Sequence, residues 1–520
     1  MPALDPISLS LFARRVEAIC AEMGAKLMRA AFSPNIRDRL DFSCALFDAR
    51  GELLAQAAHI PVHLGSMAFA MRDVVNAVSW SPGDQLILND PFLGGTHLPD
   101  VTLVTPIFSA DVLMGFVANR AHYADIGAAR PGSMPLAERL QDEGVLISPQ
   151  KVIEAGVPVD AVVERLVRAT RNARDTLGDL NAQLACNRLG VERTQALLAR
   201  MGLEDFVHAS AALNDYGERL MQALLMELPA GRFEFEDVLE DDGFGNEDLP
   251  IQVCLEVRQS RLRVDFTGTA PQTRGNVNCP LAVTAAGVWY ALRCLLPAET
   301  PACAGVFRPI ELRVPVGSLL NARFPAAVAA GNVETSTRVV DVMLGALALA
   351  LPERIPAASQ GTMNNVAMGA DGASSWGYYE TLAGGTGGGP LEVGHAAVQS
   401  HMTNTRNTPV EVLEARYPVR VRRYALRADS GGAGLRKGGD GLIRKFEFLE
   451  PTAVTLLTER RRRVPWGLAG GAAGQPGRNL LNGREMPAKC EFTVHPGDTV
   501  TIETPGGGGW GVMPSTSDNS

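Results

Sequence analysis

The chain has 520 residues, 46% of them hydrophobic and 20% charged, more than a single hydrophobic core usually serves, so two or more domains are expected. A net charge of −9 with a pI near 5.5 argues against a nucleic-acid or anionic-membrane partner, and no stretch approaches the ~20 uninterrupted apolar residues that cross a bilayer. The first residues lack the basic and apolar regions of a secretion signal, and the eight cysteines form no C-x-x-C pair, so a cytoplasmic location with reduced thiols is expected.

Residues 6–32 read as a helix, because Phe12, Val16, Ile19, Met23 and Leu27 recur at three- and four-residue steps and form one stripe. Phe42, Cys44 and Leu46 alternate as a strand ending in the turn 48–51, with Asp41 entering it beside Arg37 and Arg39. His59 and His63 follow at metal-ligand spacing, but Pro61 between them argues against a regular helix carrying both, leaving one of the two to line a site. Residues 85–88 form a short strand that delivers Asn89, Asp90 and Pro91 into a glycine-bearing loop, and 101–108 and 113–118 read as paired strands. A Gly- and Pro-bearing stretch, 128–156, looks like a long functional loop or lid.

Residues 158–228 are helical by pattern, with runs at 161–170, 177–200 and 205–226, possible breaks at Gly190 and Gly202, and the character of a subunit interface. Short strands follow at 232–239, 251–258 and 262–266. The acidic turn 240–248 between them reads as a solvated hairpin tip, with a hard-cation loop as the alternative. A helix is expected at 282–296 and another after 331–341; the remainder is Gly-rich and turn-rich with β patterning, and its arginine run 460–463 reads as a solvated turn or interface surface. The expected class is α+β and multidomain, with mixed sheets, long helices and a β-rich C-terminal part. The expected divisions are 1–157 (a metal-site α/β region), 158–230 (helical), 231–380 (α+β), 381–512 (Gly-rich, β-rich) and a disordered tail, 513–520.

The chemistry concentrates in 89–127, where His97 and His122 are each followed three residues later by an aspartate, Asp100 and Asp125. Imidazole and carboxylate repeated at strand ends suit a divalent metal, and the flanking glycines let the backbone turn tightly and approach a ligand. The candidate ligands are Asp41, His97, Asp100 and His122, with Asp125 as a fifth ligand or an outer carboxylate; this set favours Zn, Mn or Fe(II), with Mg admissible, over Ca. No phosphate-binding G-x-x-x-x-G-K-[ST], dinucleotide fingerprint or G-x-S-x-G elbow occurs, so any nucleotide site is expected on another polypeptide. The glycines at 384–389 offer an anion cradle at most. His401, Asn404, Arg406, Asn407 and Glu411 suit either the carbonyls and N–H groups of a cyclic amide or a turn network joining two domains; the same choice stands for Asn332, Glu334, Thr335 and Arg338.

Several long stretches together resemble the hydantoinase B/oxoprolinase family: Asp-Pro-Phe-Leu-Gly-Gly-Thr-His-Leu-Pro-Asp (90–100), Ala-Asn-Arg-Ala-His-Tyr-Ala-Asp-Ile-Gly (118–127), Asp-Phe-Thr-Gly-Thr-Ala-Pro-Gln (265–272), Gly-Asn-Val-Glu-Thr-Ser (331–336), His-Met-Thr-Asn-Thr-Arg-Asn-Thr-Pro-Val-Glu (401–411) and Pro-Gly-Gly-Gly-Gly-Trp-Gly (505–511). The resemblance implies a metal-bearing B-type component with ligands Asp41, His97, Asp100 and His122. Its partner would be a hydantoinase A-type subunit that uses ATP, in a hetero-oligomer with two or more copies. The implied reaction is ATP-dependent opening of a cyclic amide (a hydantoin, 5-oxoproline or a lactam), with metal-activated water attacking the activated ring and Asp125 or Tyr123 moving the proton. The alternative it allows is a component of an ATP-dependent ketone carboxylase. Three positions depart from the family's pattern: Tyr123 where a second His is usual, Ala128 where Gly is usual, and Cys303 where Asn is common.

Overall fold

The computed structural model describes residues 5–57, 60–372 and 375–513; His59 and residues 514–520 of the expected tail lie outside them. Helix α1 (Pro6–Ala30) starts on Asp5, whose carboxylate accepts the amides of Ile7 and Ser8, and it buries the expected stripe from Phe12 to Leu27. After a short α2 (Pro34–Arg37), the chain builds a seven-stranded sheet from β1 (Phe42–Asp48), β2 (Leu53–Ala57), β3 (Gln85–Leu88), β4 (Asp100–Ser109), β5 (Val112–His122), β6 (Gln150–Glu154) and β7 (Val157–Pro158). Their order is β2-β1-β5-β4-β3-β6-β7, and each neighbouring pair is antiparallel.

Both faces of this sheet are covered. Helix α3 (Pro61–Ala77), inserted between β2 and β3, packs Met67, Met71 and Val74 on Phe47, Leu88, Val104 and Phe116. Beyond the sheet come α4 (Asp160–Ala169), α5 (Ala173–Met201) and α6 (Leu203–Glu227), and α1 and α5 cover the opposite face, where Cys186 lies 3.7 Å from Cys44. Burial in β1 therefore extends through Ala45 and Phe47 as well as the alternating positions expected from sequence. Gly190 is no break. It sits inside α5, where an added Cβ would lie 2.4 Å from Met23 Sδ, so glycine lets α5 lie close on α1. Gly202 separates α5 from α6 at φ +86°.

The second half adds β8 (Gly231–Asp241), β9 (Glu247–Arg258), β10 (Arg261–Asp265), α7 (Leu281–Arg293), β11 (Ile310–Arg313) and α8 (Ser336–Ala350), the last entered through a π-helical turn, Gly331–Thr335. Its strands form a sheet in the order β11-β10-β9-β8. Then follow β12 (Asn365–Ala370), β13 (Trp376–Glu380), α9 (Val410–Arg416), β14 (Val419–Arg427), β15 (Gly441–Phe448), β16 (Thr452–Leu457), β17 (Arg478–Leu481), β18 (Arg484–Met486), β19 (Lys489–Val494) and β20 (Thr499–Glu503), in two sheets ordered β13-β12-β16-β19 and β14-β15-β20-β17-β18. The α+β, multisheet class is as expected. A single buried apolar cluster nevertheless runs from Phe12 to Leu457, across the boundaries expected near 157, 230 and 380.

Three local readings are corrected. Residues 128–156 are packed rather than poised as a lid: Met134 and Leu140 are buried, and the buried Glu143 accepts the amides of Val328 (2.9 Å) and Ala329 (2.8 Å). The acidic hairpin is not simply solvated, because Glu240 is buried and accepts the amides of Arg461, Arg462 and Arg463, while Arg462 and Arg463 pair with Glu247 and Asp248. The arginine run and the acidic turn neutralise each other. The glycines at 384–389 spend amides on neighbouring chain, Gly385 donating to Pro505 O and Gly388 to Gly508 O, so they form no anion cradle. An added Cβ on Gly385 would sit 1.9 Å from Gly439 O, and only glycine allows so close a stack.

Candidate metal centre

The site lies at the paired ends of β4 and β5. Asp100 opens β4 and stands directly opposite His122, the last residue of β5. His97 precedes Asp100 in the loop, and its carbonyl accepts the Asp100 amide at 3.1 Å. Ligand atoms of His97, Asp100 and His122 all lie within 4.8 Å of one another, and all three residues are buried.

Neighbours hold each member in place. Asp100 Oδ2 accepts the Thr96 hydroxyl and lies 3.2 Å from His63 Nε2, whose Nδ1 contacts Ser43 Oγ at 3.1 Å. His63 belongs to the first turn of α3: Pro61 starts that helix at its first position instead of interrupting it, so one histidine of the pair does reach the site. Asn35 contacts His122 Nδ1 at 3.2 Å, and Tyr379 of β13 stacks on the His122 ring at 5.0 Å and 12°. The Tyr379 hydroxyl donates to Asn365, whose amide donates to Glu334 in the π-helical turn, so distant parts of the chain brace this ring.

Electrostatics and unsatisfied atoms both fit a bound cation. Burial pushes the Asp100 carboxyl up, but His97 and His63 outweigh it and hold the group well below the usual carboxylate range. Burial, reinforced by the nearby His97, holds His122 well below its ordinary value, so its imidazole is neutral, the form that ligates metal. His97 Nδ1 and His122 Nε2 are buried without a hydrogen-bond partner, and His97 Nε2 and Asp100 Oδ1 have no partner other than each other, 3.3 Å apart. Buried polar atoms are almost always paired, and an ion taking one nitrogen from each imidazole and one carboxylate oxygen would account for three of these four. Asp41 lies beside this group. Its carbonyl accepts the His122 amide at 3.0 Å, and its buried carboxylate stands 3.8 Å from Arg39.

The family model for hydantoinase B/oxoprolinase matches residues 5–513. The chain belongs to that family. A 5-oxoprolinase of Arabidopsis thaliana is 40% identical over 98% of this chain and 42% of its own length. A Pseudomonas sp. (strain NS671) protein, provisionally named as the B component of a D-/L-hydantoinase, is 33% identical over 98% of this chain and 90% of its own. The crystal structure of an ATP-dependent caprolactamase from Pseudomonas jessenii superposes with a TM-score of 0.92 at 28% identity, covering 98% of this chain and 92% of that one. The chain spans only about two-fifths of the length of the 5-oxoprolinases it matches, 42% and 41% for the plant and Dictyostelium discoideum proteins.

In this family member, the two residues expected to move a proton, Tyr123 and Asp125, point away from the His97–Asp100–His122 group. The Tyr123 hydroxyl donates to Gln183 of α5 at 2.8 Å, on the face of the sheet opposite His122. Asp125 accepts the amides of Gly127 and Arg171 and pairs with the Arg171 guanidinium, so it fixes a loop. Of the expected substrate ligands, His401 and Asn404 line one cavity of about 590 Å³ with Tyr290, Gln399 and Thr403. The Arg406 side chain is exposed, and Asn407 is held by Glu380, Thr381 and Tyr424. Asn332 is buried, and Thr335 and Arg338 are held by Val277 and by Asp237 and Glu459. Sequence reasoning missed Asn35, Thr96 and Tyr379. Asn35 and Thr96 sit close to named residues in the chain, whereas Tyr379 carries no sequence signal. Among the described residues, no helix is long and apolar enough to cross a membrane.

Proposed function

We propose that this chain is the B-type component of an ATP-dependent cyclic-amide hydrolase, opening a lactam, hydantoin or 5-oxoproline ring that a hydantoinase A-type partner has activated with ATP. The observation that carries this reading is the buried His97–Asp100–His122 group, whose three ligand atoms lie within 4.8 Å of one another. Family membership and the names of the relatives support the substrate class, and the name of the Pseudomonas relative, one component of a hydantoinase, supports a separate partner. His97, Asp100 and His122, with Asp41 beside them, would hold a divalent ion, which when bound would supply Lewis acidity and lower the pKa of water.

The chain's own residues do the positioning. His63 and Thr96 fix the Asp100 carboxylate, and Asn35 and Tyr379 fix the plane of His122. Second partners of this kind orient ligands and raise their basicity. Burial of the group excludes bulk water, which strengthens every charge interaction within it.

The test is reconstitution of the chain with an A-type partner, ATP and a panel of cyclic amides. Ring-opened amino acid, ADP and one metal ion per chain are expected, without any need for bicarbonate. Asp100→Ala should abolish both metal and turnover; a variant that keeps both sinks the proposal. Bicarbonate-dependent consumption of a ketone would replace it with the carboxylase reading.

A further inference from the structure

Arg39 is fully buried beside the candidate metal centre, and its guanidinium is only half used. Nη1 donates to the Tyr379 carbonyl, whereas Nε and Nη2 have no hydrogen-bond partner. Those two nitrogens form one edge of the planar guanidinium, the edge that matches two oxygens of an oxyanion. The group lies 4.9 Å from the centre of the same Tyr379 ring that stacks on His122.

The backbone holds this placement. The Arg39 amide donates to Pro34 O, and its carbonyl accepts the Arg406 amide. Leu40 follows at φ +59°, turning the chain so that Asp41 comes beside His122.

Other buried arginines are treated differently. Arg120 spends all three nitrogens on Thr102, Ser66 and Gly94 O, Arg338 pairs with Asp237, Asp341 and Glu459, and Arg460 pairs with Asp237 and Asp341. Arg444 also has two unpartnered nitrogens, but it pairs with Glu380 and packs on Tyr424 and Phe446. The one ion pair of Arg39 among the described residues is Asp41, at 3.8 Å, too long for a hydrogen bond. A cation held by His97, Asp100 and His122 would compete with Arg39 for the Asp41 carboxylate beside them. A buried, unpaired guanidinium is strongly unfavourable unless an anion joins it.

We propose that Arg39 is a phosphoryl-binding residue, its free Nε–Nη2 edge taking two oxygens of a phosphoryl group presented beside the His97–Asp100–His122 group. This rests on the proposed hydrolase reading, in which ATP activates the ring, and it places the phosphoryl end of the activated substrate at Arg39. A carboxylate offers the same two-oxygen edge with less charge, so bicarbonate is the comparison anion.

The test is calorimetric titration of metal-loaded protein with inorganic phosphate and, separately, bicarbonate. One phosphate per chain is expected to bind in preference to bicarbonate. Arg39→Lys keeps the charge and loses the fork; it should keep its metal content and weaken phosphate binding by about tenfold or more. Unchanged phosphate affinity in Arg39→Lys overturns the proposal, as does a wild-type protein that takes up no phosphate at millimolar concentration, a result that needs no variant. Preference for bicarbonate overturns it in favour of a carboxylate site. Failure here with normal lactam turnover leaves the hydrolase reading intact, whereas phosphate binding without turnover removes that reading and leaves Arg39 as an anion site.

Discussion

Asp100 and His122 are direct cross-strand partners, the first residue of β4 facing the last of β5. That register makes the separation of the two side chains a property of the sheet and not of a loop. Asp100→Asn should therefore leave the fold intact and remove the charge that draws a cation, while His63→Gln, which alters a side chain bridging Asp100 and Ser43, should weaken metal binding by roughly 10–100-fold. Competition against a graded chelator checks both, and Asp100→Asn is expected to be the worse of the two. Equal affinities for wild type and Asp100→Asn would remove Asp100 from the ligand set.

Tyr123 follows His122 directly, and the two-residue period of a strand sends it to the opposite face. Its hydroxyl satisfies Gln183, and burial holds the phenol well above its ordinary value, with Asp179 adding to the effect. Tyr123→Phe should leave turnover unchanged and cost about 1–3 kcal/mol, because Gln183 loses its buried donor. Denaturant unfolding measured alongside kcat separates this from a proton-shuttling role, which would lower kcat and spare stability.

The same alternation explains what was legible in sequence. His97, Asp100 and His122 could be named because their spacing brings them to the ends of two adjacent strands, one hairpin apart. Asp125 looked equivalent by spacing, but β5 has ended before it and the chain turns toward Arg171. Asp41 could be placed near the site, yet its relation to Arg39 depends on a turn with a left-handed Leu40 that no periodicity reveals. Tyr379, Asn365 and Glu334 arrive from more than two hundred residues along the chain, joined to the site by packing alone. The acidic hairpin and the arginine run were each legible as turns with solvated residues, but their pairing across some 220 residues was not. Helices and strands with strong periodicity were recovered nearly to their ends, because local pattern and tertiary burial agree there.

Gly94 closes the loop that carries His97, at φ +88°, with its carbonyl accepting Arg120. The tight approach at this glycine is made to helix α3: an added Cβ would lie 1.9 Å from Ala70 Cβ and 2.4 Å from its Cα. Neither atom can rotate away, so Gly94→Ala must push the loop off the helix as well as strain its backbone. A loss of about 1–3 kcal/mol in stability is expected, together with weaker metal binding. A second substitution, Ala70→Gly, removes the Cβ collision and should restore part of both; no recovery would mean that the backbone angle alone sets the penalty.

Asp179 gives the chain a pH dependence separable from the metal centre. It lies buried on α5, where its Oδ1 accepts the amides of Phe32 (2.7 Å) and Ser33 (3.0 Å). Burial pushes its carboxyl up to about 6 from an ordinary 3.8, against the pull of Ser33 and those amides. The folded protein thus holds this proton to higher pH than the unfolded chain does. The resulting stabilisation is complete below the unfolded value and is lost as pH rises toward 6, with a limiting slope of about 1.4 kcal/mol per pH unit. Asp179→Asn keeps an oxygen for both amides and cannot ionise, so its stability should fall less across that window. Denaturant unfolding of both proteins from pH 4 to pH 7 checks this. Parallel curves would mean that the Asp179 carboxylate is solvated or paired more strongly than its surroundings in α5 and α2 indicate.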